Sequence, residues 1–346
     1  MYDMLSLDIL PRGQSAMGIK MPNYRINGFA CHDNGVRPTY PRQRQCLNIE
    51  HPMPPQSVGY LYALAAFTIF AAQDGISKHL GSAYPPVFVT MLRYWAFALF
   101  VIFLALRAKG GIRKAVSTKR FFLQASRGVI LAVQIVMSIF SFSVVGLAHT
   151  HSIFASAPLI VAALSVPILG EQVGWRRWLA ILVGFVGVLI ILKPDDSGFD
   201  LTLLVTFAAT LLLAIYSVLT RLAGRTDPAT TSFFYTGVPG AVVLTLVGPF
   251  YWVDMAPSDW GWMLALCMTG MSGHYLLIRA FEVADAASIQ PFSYYQLVLV
   301  SIVGVTLYGE VLSAHMVIGA AIVISAGLFT IWREQMVARR KRYQAS

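Results

Sequence analysis

The sequence predicts an all-α membrane protein of ten transmembrane helices arranged as two inverted five-helix repeats, and three observations predict it. Of 346 residues, 57% are hydrophobic and 12% charged, against a charged share of about 25% in soluble domains. From Ser57 onward ten apolar runs follow one another, each near the roughly 20 residues that a helix needs to cross a bilayer. Finally, one stretch occurs twice. Ala148, Ser152-Ile153, Pro158 and Gly170-Glu171 are echoed by Ala284, Ser288-Ile289, Pro291 and Gly309-Glu310, with three more residues between serine and glutamate in the second copy. That is the mark of a diverged duplication.

Residues 1–56 are polar, carry seven prolines and show no apolar period, so they predict a disordered tail or a start assigned too early, with Met53 as the alternative first residue. The runs then read Ser57–Leu80, Pro86–Leu106, Val129–Leu147, Ser152–Leu169 and Trp175–Leu192 in the first half. The second half reads Leu201–Leu222, Ser232–Tyr251, Trp260–Ala280, Ser288–Tyr308 and His315–Trp332. In lipid an unpaired backbone group costs several kcal/mol, so runs of this kind form helices rather than open strands. Residues 57–193 make the first repeat and 194–333 the second, joined through a linker carrying Asp195, Asp196 and Asp200, and residues 334–346 form a basic tail. With five spans per repeat, the second must enter the membrane upside down relative to the first.

Counted on alternate sides of these runs, 23 of the 26 Lys and Arg fall on the side of the amino terminus. By the positive-inside rule both termini are then cytoplasmic, and the chain is a multi-pass membrane protein. Six of the seven tryptophans (Trp175, Trp178, Trp252, Trp260, Trp262, Trp332) sit at run ends, as an interfacial belt requires, and Trp95 lies deep. The net charge of +10 is spread between apolar runs rather than gathered in a patch, which argues against nucleic acid. Cys31, Cys46 and Cys267 have neither metal-ligand nor disulfide spacing, so no metal and no cofactor are expected.

An ionisable group within a span costs at least about 2.5 kcal/mol and needs a partner or water. Asp74 and Lys78, four residues apart, share a helical face as partners. Arg93, seven residues into the next run, comes to a depth from which it reaches Asp74. Two roles fit these charges: a packing clamp between two helices, or an outer gate with Asp74 as a proton-coupling carboxylate and Arg93 holding an anionic group. Gln134 and Gln296 fall near the midplane, and Gln290, Tyr294 and Tyr295 would add hydrogen bonds and aromatic walls to a pocket there. Interhelical hydrogen bonding fits the same residues equally well. Glu171 and Glu310 are expected to cap helices or to be solvated at the surface rather than to touch a solute, and His274 to be a neutral core histidine. The small residues Ala180 with Gly184, and Ala321 with Ser325, fit either packing within one chain or a homodimer seam.

With its duplication and its Gly-Glu stops, the chain resembles the EamA type of the drug/metabolite transporter superfamily. The carrying residues are Pro291-Phe292-Ser293-Tyr294-Tyr295-Gln296-Leu297, Gly309-Glu310, Asp74, Lys78 and Arg93. The first copy lacks the Phe-Ser-Tyr-x-Gln run, having Ser156-Ala157-Pro158-Leu159 instead. The resemblance covers about Ser57 to Trp332. It implies a secondary carrier in the cytoplasmic (inner) membrane with a central cavity between inverted halves, here expected to export a small metabolite or toxic compound by alternating access. Competing classes are a channel or sensory membrane protein, and a protease, since Gly270-Met271-Ser272-Gly273 resembles the nucleophile motif of rhomboid intramembrane proteases. A protease needs a histidine base on a facing helix; a channel needs charged rings, which the runs lack.

Overall fold

The computed structural model describes residues 55–107, 110–170, 174–192, 201–284, 289 and 291–345. The tail 1–54, the linker 193–200, Glu171, Asp285, Ser288 and Gln290 lie outside the described residues. Helices form wherever the apolar runs allow, and among the described residues no strand is present. In chain order they are α1 (Pro55–Ala83), α2 (Pro86–Arg107), the short α3 (Gly111–Val116), α4 (Phe121–Val144), α5 (Leu147–Phe154), α6 (Ala157–Leu169) and α7 (Trp175–Ile191). There follow α8 (Leu201–Ala223), α9 (Ala229–Val247) with a 3-10 turn at Gly248–Tyr251, α10 (Asp259–Val283), α11 (Phe292–Tyr308) and α12 (Ala314–Ala345).

Among the described residues six segments are long and apolar enough to cross a membrane: Pro86–Arg107, Phe121–Val144, Leu147–Leu169, Leu201–Ala223, Thr230–Tyr251 and Ala314–Arg333, with Phe292–Tyr308 a shorter apolar helix. The other runs are helical too, but α7 stops at 17 residues and α1 carries Gln73, Asp74, Ser77 and Lys78 along one flank. The third run starts earlier than its apolar pattern suggests. Phe121 to Gly128 belong to α4 because Gln124 and Arg127 are buried and hydrogen-bonded rather than solvated in a loop. The fourth run is broken between α5 and α6, where Ser156 turns both its N–H and its hydroxyl to the Ile153 carbonyl and Pro158 starts the next helix without a backbone donor.

α1 packs extensively on α10 and α11, with the small side chains of Ala63, Ala66 and Ala71 buried. Other extensive pairings are α7 with α12, α4 with α8 and with α9, α2 with α9 and with α10, α6 with α8, and α5 with α11. These pairings keep their pattern when the helices before and after the 193–200 linker are exchanged in order: α1–α10 becomes α8–α4, α4–α9 becomes α10–α2, and α7–α12 maps onto itself. The contact of α1 with α4 is the extensive one without such a counterpart.

Around the outside, Leu99, Phe103, Leu182, Phe185, Leu204, Ile302 and Leu328 are exposed. An apolar girdle of that size is stable only against lipid or another apolar surface. Trp175, Trp178, Trp252, Trp260, Trp262 and Trp332 are exposed as well, whereas Trp95 donates its indole N–H to Thr245 at 2.8 Å. At the α7–α12 seam a Cβ on Gly187 would lie 2.9 Å from the Gly319 carbonyl, so two glycines set the approach of these helices. Ala180 and Gly184 are buried on that side of α7, but Ala321 and Ser325 point outward, so α12 uses Gly319, Val323 and Ala326 instead.

A second close contact yields a prediction. A Cβ on Gly327 of α12 would stand 1.8 Å from the Tyr294 hydroxyl oxygen and 2.9 Å from Cζ. Gly327→Ala is expected to destabilise the fold by about 1–3 kcal/mol. Adding Tyr294→Phe should restore part of that, because it removes the nearest clashing atom, a buried hydroxyl with no hydrogen-bond partner among the described residues. Thermal unfolding in detergent of the two variants checks the order; equal stability of both would refute it.

Candidate functional site

Asp74, on the face of α1 turned to α5 and α11, is buried and accepts a hydrogen bond from Gln296 Nε2 at 2.8 Å. His151 Nε2 of α5 lies 3.0 Å from the same carboxylate oxygen, at ion-pair distance but off the angle of a hydrogen bond. The imidazole is held by stacking on Phe142, centroids 5.5 Å apart with planes 7° from parallel. One carboxylate therefore ties together three helices, two from before the linker and one after it, beside the break between α5 and α6.

Of the other residues expected near a pocket, Tyr295 shares a 3.2 Å hydrogen bond with Thr68 on α1. Tyr294 points to α12, away from Asp74. Gln134 does not meet Gln296: its side-chain amide donates to Ser138 of its own helix at 2.8 Å. Gln290 lies outside the described residues. Helical spacing placed Gln134 and Gln296 at similar depth, but depth leaves the direction of each side chain open.

The expected Asp74–Lys78 partnership is not formed. Lys78 instead pairs with Glu310, which follows α11, and stands over the Tyr308 ring with Nζ 4.7 Å from its centroid. The Tyr308 hydroxyl donates to the Gly75 carbonyl at 2.7 Å. Glu310 also accepts the backbone N–H groups of Leu147 and Ala148, at 2.7 and 2.9 Å. It thus caps the amino end of α5, where carboxylates are favoured, from another helix rather than from its own. Gly146, at φ 101°, brings the chain against this carboxylate in a left-handed conformation that suits glycine. Burial pushes the Glu310 carboxyl upward, yet the Lys78 ammonium and the two N–H donors outweigh it and hold the group below its ordinary range.

Arg93 makes no ion pair with Asp74, though it feels that charge. It is buried with Tyr94 in a cleft among α2, α4, α9 and α10, whose other walls include Thr236, Cys267, Gly270 and His274. The cleft encloses about 330 Å³, counting the part open to the outside, and is constricted to water-sized gaps within. His274 packs edge-on to Phe70 at 5.2 Å and against Phe97 at 5.5 Å, as a core histidine would. Ser272, of the protease-like motif, is exposed and donates to the Met268 carbonyl at 2.8 Å, so it is not presented to a base.

Toward the opposite end of the bundle lies a network that charge counting hid. Arg127, which the positive-inside count places in a connection, is among the most deeply buried side chains. Its guanidinium donates to Gln124 Oε1 at 3.2 Å, to Thr220 at 3.0 Å and to the Ser232 carbonyl. Gln124 in turn donates to Asp227 at 2.8 Å, and Thr118 closes on the same carboxylate. Partial burial pushes the Asp227 carboxyl upward, but these donors prevail and keep it low. The i, i+3 spacing of Gln124 and Arg127, with Asp227 in the polar turn between α8 and α9, was the available signal.

A sequence profile described as the EamA-like transporter family matches residues 57–193 and again 200–332. The chain is 26% identical over 286 residues to the S-adenosylmethionine uptake transporter of Rickettsia bellii, covering 82% of this chain and 97% of that protein. It is 28% identical over 297 residues to the riboflavin transporter of Vibrio cholerae, covering 82% and 96%. It is also 24% identical over 270 residues to the pseudopaline exporter CntI of Pseudomonas aeruginosa, covering 78% and 94%. A solved crystal structure superposes with a TM-score of 0.55 at 18% identity, covering 83% of this chain and 98% of that one, a likeness of fold alone.

Proposed function

The chain belongs to the EamA-like transporter family, a family of transporters rather than enzymes, and on that premise we propose that it is a secondary carrier of a small organic solute working by alternating access. Its ten apolar runs, the shorter ones included, cross the inner membrane, both termini lie on the cytoplasmic side, and residues 57–193 and 194–333 act as inverted halves. Support comes from the pairing pattern that survives exchange of the halves, and from the discontinuous α5–α6 segment beside a buried carboxylate, the arrangement in which carriers place their sites.

The observation that carries the reading is Asp74 itself, a buried carboxylate whose partners Gln296 and His151 come from both halves. A group so placed can change partners when the halves rock, and can take up a proton as it does so. The relatives named for uptake and for export leave direction to measurement. S-adenosylmethionine and riboflavin, named for two of the relatives, are the first solutes to test.

The experiment is counterflow into proteoliposomes holding the purified protein, with either solute loaded inside. Saturable exchange is expected, and Gln296→Leu should slow it by about fivefold or more through loss of the charge-assisted hydrogen bond to Asp74. Unsaturable flux proportional to the gradient would point to a pore and refute the carrier. Wild-type affinity and rate in Gln296→Leu would remove that residue from the site.

A further inference from the structure

Three polar groups around the Arg93 cleft have nothing to satisfy them among the described residues. Among the described residues the Arg93 guanidinium has no carboxylate within ion-pair distance and donates no hydrogen bond, although only 8% of the residue is exposed. The Tyr94 hydroxyl and the Gln73 amide oxygen are buried without a hydrogen-bond partner. Buried polar groups are normally paired, and a set left unpaired together calls for an explanation by a ligand or an ion. An unpaired charge is the most costly member of such a set.

Two of them converge on one glycine, Gly270 of α10: a Cβ there would be 3.3 Å from Gln73 Oε1, 3.4 Å from Arg93 Nε and 3.7 Å from Arg93 Nη2. Glycine at this position keeps open the space that any side chain would fill. Tyr94 lines the same cleft as Arg93, so the phenol is a second donor within it. Gln73 is the complementary acceptor, and Phe97, His274 and Ile135 supply apolar wall.

We infer that the cleft receives the carboxylate of the transported solute, held by Arg93 with Tyr94 as second donor, while Gln73 Oε1 takes an adjacent donor of the same solute, an ammonium or a hydroxyl. A planar guanidinium pairs with a carboxylate through two parallel N–H bonds, which gives both charge recognition and orientation. This rests on the carrier reading above and adds to it the class of solute. In place of a solute, water alone could solvate the guanidinium, with Asp74 as a distant countercharge; the cleft would then not distinguish an acid from its amide.

The test uses proteoliposomes of the full chain and a defined panel in which each carboxylic acid is paired with its carboxamide, together with S-adenosylmethionine and its decarboxylated analogue, read by mass spectrometry of the lumen. The acids are expected to enter at least about tenfold faster than their amides. Arg93→Gln should abolish that preference and Arg93→Lys retain part of it. Gly270→Ala, which keeps the charge but fills the space, should raise the KM for the acids several-fold. A monodisperse peak in size-exclusion chromatography shows that each variant is folded. Saturable transport that treats acid and amide alike, unchanged in Arg93→Gln, overturns the inference and leaves the carrier standing. No saturable transport of any panel member overturns both.

Discussion

Asp74→Asn is expected to lower the initial rate of transport by about tenfold or more, through loss of the charge that Gln296 and His151 face, while leaving the protein as stable as the parent or more so. The two effects diverge for a physical reason. A carboxylate within a span costs about 2.5–3.5 kcal/mol on insertion scales, so removing its charge relieves the fold. Asparagine can still accept from Gln296. What it cannot do is offer a charge to His151, or serve as the coupling carboxylate of the proposed carrier. Initial rates measured with and without an imposed pH gradient, beside unfolding curves in detergent, check both halves of the expectation. In the variant the residual rate should no longer respond to the gradient. A wild-type rate with wild-type gradient dependence would take Asp74 out of the mechanism; loss of rate together with loss of fold would reduce it to a packing residue.

Glu310→Gln should act in the opposite sense, on stability first. It strands the Lys78 ammonium beside Tyr308 and weakens the cap on α5. Breaking a fully buried pair costs about 3–5 kcal/mol; with both side chains 13% exposed, about 2 kcal/mol is expected here. Lys78→Met added to Glu310→Gln should recover part of that loss, since it removes the unpaired charge. The parent's stability also acquires a pH dependence from this group. The Glu310 pKa is depressed in the folded protein, so its contribution is complete above the ordinary carboxylate range and is lost as pH falls through the folded value. Unfolding temperatures of the parent should therefore decline on acidification below that range, and those of Glu310→Gln should decline less. Parallel curves would show that the Lys78–Glu310 pair contributes nothing.

How much of this was written in the chain differs from residue to residue. The Gly-Glu stop after α11 marked Glu310 as a helix-end carboxylate, and capping is what it does, but of α5, some 160 positions earlier. Asp74 was legible as a costly charge needing a partner; the nearest candidate, one turn away on its own helix, was not the partner. Arg127 was counted among the charges of a connection because Phe121 to Gly128 carry too many polar residues to read as membrane-spanning. Only its bonds to Gln124, Thr220 and the Ser232 carbonyl explain why α4 starts where it does.

The sequence by itself determined that the chain is helical and built for lipid, that its two halves are related, and that it belongs with EamA transporters, because apolar run length, Gly-Glu stops and family motifs are local and survive without any contact being known. Tertiary structure alone decided which polar groups meet. That depends on the rotation of each helix about its axis, and close approaches such as Gly187 to Gly319 fix it. Through them Asp74 faces Gln296 and His151, Lys78 is given to Glu310, and Arg93 is left in its cleft without a carboxylate of the protein's own.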